Sequence, residues 1–133
     1  MPANNDAIVT VTEERIGHTV RKKRVNWTAD TGDGSVPSTG CGLRGWVFMA
    51  VTNPDGTKVP DDNYDIVLND GNGFDVMGGT LANRSNTTTQ QAFPILVGTT
   101  YGERFVDGGL TFVLSGNTDV SAAGICDIYY KAE

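Results

Sequence analysis

The residues able to do chemistry are few and poorly grouped. The 133-residue sequence holds one histidine, His18, and two cysteines, Cys41 and Cys126. A nucleophile needs a base within hydrogen-bond reach. His18 stands beside Gly17, ahead of a basic run, and no Gly-x-Ser-x-Gly elbow exists for it to serve. Cys41 lies between Gly40 and Gly42, where a small residue in a glycine turn explains it better than a nucleophile. Two thiols and one imidazole fall short of the four ligands a structural zinc ion takes. In a reducing compartment both cysteines are expected as buried or half-buried free thiols.

The carboxylates lead no further. Asp61 and Asp62 follow Pro60 ahead of an apolar segment, the setting of solvated turn carboxylates. A glycosidase needs two carboxyl groups facing each other across a cleft. Residues 70–75 (DGNGFD) begin like a calcium-binding loop, but Phe74 and Leu81 stand where the fifth and twelfth positions require oxygen ligands, so a hairpin turn is expected. Residues 30–34 (DTGDG) are discounted on similar grounds. Neither glycine-rich nucleotide fingerprint is present. Asn26, Asn83 and Asn86 open glycosylation sequons, which count as chance matches without a secretory signal. No catalytic residue, metal or cofactor is therefore expected, and the chain reads as non-enzymatic.

The run Arg21, Lys22, Lys23, Arg24 is the one concentrated charge. On a strand it splits between two faces, so it is not a single patch. Two readings stand side by side: a solvated edge strand whose lysines block unwanted pairing, or a strip that docks on an acidic partner. Through Arg44 six cations oppose five anions, and from Gly45 onward four oppose eleven, within a net charge of −6. An acidic body repels phosphate, so nucleic acid is not expected as a partner. No segment approaches the roughly 20 apolar residues of a membrane span, and residues 1–5 do not resemble a targeting signal. Folding in a cytoplasm is expected.

The elements that must position these residues are strands. Residues 7–12 (AIVTVT) alternate and are β-branched. Residues 19–28 form a second strand, with a bulge expected near 22–24 because Val20 breaks parity with Val25 and Trp27. Residues 29–42 make a long loop of turn residues. Residues 43–53, the most apolar run, predict a strand covered on both faces, with Trp46 and Phe48 in the core. Tyr64, Ile66 and Leu68 share one face of a strand at 63–69, followed by a turn and a short strand at 74–77. Residues 78–88 are polar, with room for one helical turn near Leu81 and Ala82. Extended segments follow at 89–97, 103–107, 110–115 and 125–131, with Pro94 marking an edge or bulge. Eight or so short strands in one domain, 1–133, predict an all-β antiparallel β-sandwich, jelly-roll-like. Trp27 is the aromatic residue expected outside the core, and with Arg21, Lys22, Lys23 and Arg24 it forms the candidate partner-contacting set.

Several stretches resemble small virion proteins of tailed bacteriophages. They are 59–70 (VPDDNYDIVLND), 73–79 (GFDVMGG), 81–90 (LANRSNTTTQ), the opening 16–20 (IGHTV) leading to 27–30 (WTAD), 107–114 (DGGLTFVL) and 127–130 (DIYY). The group they are most similar to is the jelly-roll capsid cement, or decoration, proteins. The resemblance implies a virion protein assembled in the host cytoplasm. It would sit outside the head as a homo-oligomer, a dimer or trimer, with the major capsid protein as partner. A neck or tail-completion protein, or a virion carbohydrate-binding module, is the alternative. Exposed aromatic residues on one face would favour the last of these.

Overall fold

The computed structural model describes residues 2–132. Its strands are β1 (Ile8–Arg15), β2 (Val20–Thr28), β3 (Thr39–Gly40), β4 (Leu43–Pro54), β5 (Asp65–Asp70), β6 (Gln90–Ala92), β7 (Ile95–Val97), β8 (Thr100–Tyr101), β9 (Arg104–Gly108), β10 (Leu110–Ser115) and β11 (Ala123–Ala132). The larger sheet has the order β1-β2-β11-β4-β6, with β9 also paired to β4. A second sheet has the order β3-β10-β5, and β7 and β8 form a small separate hairpin. Every pairing is antiparallel. The expected all-β single-domain sandwich is what the chain forms.

Side-chain alternation explains which residues fill the core. The larger sheet contributes Val25, Trp27, Cys126, Ile128, Val47, Ala50 and Val106, while Phe112, Ile66, Leu68 and Tyr64 come from the opposing sheet and its approach. The Trp27 and Tyr64 rings meet with centroids 5.7 Å apart. Tyr64, Ile66 and Leu68 share the buried face the alternation predicts. Burial pushes the Tyr64 hydroxyl up to about 12.

The irregularities fall elsewhere than expected. β2 keeps continuous register with both neighbours through Lys22–Arg24, with no bulge there. Val20 breaks parity because it begins the strand, half-buried at the end of the sheet. One register shift lies between β4 and β11, at Tyr129 and Tyr130, with Phe48 as the extra residue, and another lies between β7 and β8, at Ile95 and Val97. Gly45 makes the close approach possible, because a side chain there would run into the Lys131 carbonyl. Residues 74–77 make only an isolated bridge, Asn69 to Asp75, and no strand. Asp75 diverts that segment by accepting the amides of Leu68 (3.2 Å), Met77 (3.2 Å) and Gly79 (2.8 Å).

The long loop after β2 is ordered by one buried carboxylate. Asp30 accepts the amides of Asn4 (2.8 Å), Asp6 (3.0 Å), Gly32 (2.8 Å) and Asp33 (3.1 Å). Asp6 returns the contact by accepting the Thr31 amide at 2.9 Å. The segment before β1 is thereby latched to the loop. Burial alone would raise the Asp30 pKa, but these four donors outweigh it and hold the carboxyl well below its ordinary 3.8.

A methyl group at Gly124 would lie 2.7 Å from the Trp27 ring. Gly124→Ala is therefore expected to cost about 1–3 kcal/mol, read as a lower urea midpoint; an unchanged midpoint would refute the tight contact. Because the folded-state pKa of Asp30 is depressed, its stabilising contribution is complete above the ordinary carboxylate pKa and declines as pH falls below it toward the folded value. Amide exchange at Asn4 and Asp6 should thus accelerate below about pH 4, and should already be fast at neutral pH in Asp30→Asn. Equal protection in that variant would remove Asp30 as the latch.

Candidate functional site

The basic run lies in the interior of the larger sheet, because β1 forms the edge and β2 pairs on both sides. This corrects the edge-strand reading. Its acidic partners also lie within the chain. Lys22 meets Glu14 at 2.9 Å and Lys23 meets Glu13 at 3.0 Å, each pair directly opposed across β1 and β2. Arg24 opposes Asp127 on β11 and grips it with both arms, Nε to Oδ1 at 2.8 Å and a terminal nitrogen to Oδ2 at 3.0 Å. The hydrogen bond that Lys22 donates to Glu14 raises the Lys22 pKa, and the one that Arg24 donates to Asp127 raises the Arg24 pKa. Glu13 also accepts the Tyr130 hydroxyl, which lowers the Glu13 pKa and, after burial, helps raise that of Tyr130. Arg21 makes no ion pair among the described residues; it donates to the His18 carbonyl at 3.5 Å.

Trp27 is also corrected. It is 2% exposed, packed over Gly124 and Tyr64, and presents no surface to a partner. Its place as the exposed tryptophan belongs to Trp46, 41% exposed on the outer face of β4. Phe48, expected in the core, is half-buried.

That outer face joins residues from five strands, β1, β2, β4, β9 and β11. Trp46 opposes Phe105 of β9, their rings edge to face with centroids 5.3 Å apart, and Phe105 is 40% exposed. Phe48 sits beside Tyr129 of β11, centroids 6.3 Å apart. Around this aromatic strip stand four ion pairs on the same face: Glu14 with Lys22, Asp127 with Arg24, Asp107 with Arg44, and Glu103 with Lys131. The strip was legible in part. Trp46 shares parity with Arg44, and Phe105 with Glu103 and Asp107, so flanking charges mark the outward side. Trp27 shares parity with Val25, which marks the inward side.

The cysteines sit on the opposite, buried side. Both are free and buried. Burial pushes the Cys41 thiol up to about 11 and raises Cys126 further, against the thiolate a nucleophile or metal ligand requires. Among the described residues no group of three or more histidine, cysteine or acidic side chains is gathered as metal ligands would be.

Neither a protein-family model nor a curated protein sequence matches the chain. Among solved structures, a chain of the cyanophage Pam1 capsid asymmetric unit is similar, with TM-score 0.53 and 17% identity over 100% of both chains. At that identity the likeness is one of fold.

The thiols provide a direct check on the packing. Iodoacetamide at neutral pH should leave both cysteines largely unmodified in the native protein and label both in denaturant. Rapid native labelling of Cys126 would contradict a closed core.

Proposed function

We propose that this chain is a non-enzymatic structural protein of a tailed-phage particle, a cement or decoration protein bound to the outside of the head. In this reading its partner is the major capsid protein, and it stabilises contacts between neighbouring capsid subunits. The observation that carries the reading is the full-length likeness of fold to a chain of a cyanophage capsid asymmetric unit, covering 100% of both chains. The sequence stretches that resemble small virion proteins support it independently. So does the chemistry at hand, since buried high-pKa thiols and internally paired charges suit a scaffold better than a catalyst.

A cement protein works by avidity. Each contact is modest, but linked copies engage several sites at once and multiply affinity without new chemistry. A dimer or trimer of this sandwich on a repeating shell fits that arithmetic. The basic run does not serve as the docking strip in this reading, because three of its four cations are already paired within the sheet. Reversing all four to glutamate would oppose Glu13, Glu14 and Asp127 and unsettle the fold itself.

A second reading, a glycan-binding module, draws on exposed Trp46 and Phe105. Their edge-to-face arrangement does not make a flat stacking platform, and the polar groups beside them are engaged with one another. Sugar recognition needs free, precisely placed polar groups near the ring.

Quantifying the protein in purified virions tests the cement reading. The expected copy number is that of the major capsid protein divided by a small whole number. Heads lacking the protein should assemble yet burst more readily on heating or loss of salt. About a dozen copies or fewer, the size of one closed ring, would sink the reading and move the protein to the neck or tail.

A further inference from the structure

We propose that the outer face of the larger sheet, centred on Trp46 and Phe105, is where two copies of this chain pair. The inference deepens the self-association in the functional reading above by naming its surface.

The sheet's inner face is filled by the opposing sheet, yet its outer face also carries aromatic side chains, with Trp46 and Phe105 exposed and Phe48 and Tyr129 half-buried beside them. Aromatic residues of this kind anchor interfaces, and the centre of an interface is typically depleted of charge.

Charge selects the occupant. The four ion pairs on this face bring equal numbers of cations and anions, so the face is neutral. The other twelve acidic and six basic residues of the sequence carry the whole net charge of −6. Two copies meeting through another acidic surface would repel each other. Through this face they would not, and their paired charges ring the aromatic strip as a polar rim. Arg44 and Asp107 stand side by side and well exposed at the end of the strip. A two-fold pairing places the same patch on both subunits, which lets a cation of one copy meet an anion of the other. The cost of covering the face is also reduced. The Lys22 and Asp127 side chains are already 13% and 10% exposed, so half of these pairs have one member largely out of water.

The test uses the purified full-length chain without particles, so its outcome is separate from copy number in the virion. Sedimentation over a wide concentration range should show a 14.2 kDa monomer passing to a species of twice that mass. Trp46→Glu with Phe105→Glu should weaken the association by at least about tenfold in Kd, with circular dichroism unchanged. A second readout needs no variant. The protein has two tryptophans, and only Trp46 is exposed, so acrylamide quenching reports on this face. Quenching should fall as concentration rises through the transition. A chain that stays monomeric with Trp46 fully quenched at every concentration overturns the proposal. So does a dimer indifferent to the double substitution. Trp46 shielded only on adding phage heads, or only on adding glycans, likewise overturns it and assigns the face to the shell or to sugar.

Discussion

The fold depends on the pairing of β11 with both β2 and β4. The last strand of the described chain occupies the middle of the larger sheet, so residues 20–28 and 43–54 are joined only through residues 123–132. Without β11 the two halves of the sheet have unpaired edges and the core has no floor. Cys126 and Ile128 fill that floor, and Gly124 leaves the space that Trp27 occupies. Contacts between such distant segments close large loops before they contribute stability, which makes folding slow and concerted.

The same pairing sets the electrostatics. β2 holds four cations in succession, and a lone strand of that kind would repel itself. β1 supplies Glu13 and Glu14 on one side and β11 supplies Asp127 on the other, each directly opposite its partner. Cross-strand opposition of unlike charge is favourable in a sheet, and like charge is not. The basic run is therefore a register device: a slip of β2 by one residue would move Lys22 and Arg24 to the wrong face, away from Glu14 and Asp127. That use also explains why the run adds no net positive patch to the surface.

With the basic run absorbed, the surface offers the neutral aromatic outer face and, on the β7–β8 hairpin, exposed Leu96, Val97 and Tyr101, against a remainder that is acidic. In the proposed virion role such a division would have a purpose. Net negative charge favours solubility of a free chain, and the neutral face is a surface that can be covered without charge repulsion. The likeness to a capsid chain is one of fold.

The sequence by itself determined that the chain is all-β and where most strands lie. Period-two alternation at 8–12, 64–68 and 110–115 survives in the structure, as do the turns around Pro54 and Asp70. It pointed to free thiols at Cys41 and Cys126 without deciding their pairing, and both are free and buried in the fold. Tertiary structure alone decided which side of each strand is covered. Trp27 and Trp46 exchanged their expected places for this reason: alternation groups residues onto a face, but burial of that face depends on a second sheet packed against it. Likewise no local pattern reveals that Asp127 would stand opposite Arg24, 103 residues away along the chain. Strand identity is written in neighbouring residues, whereas partner and exposure are set by which distant strands pair, and that is a property of the whole folded chain.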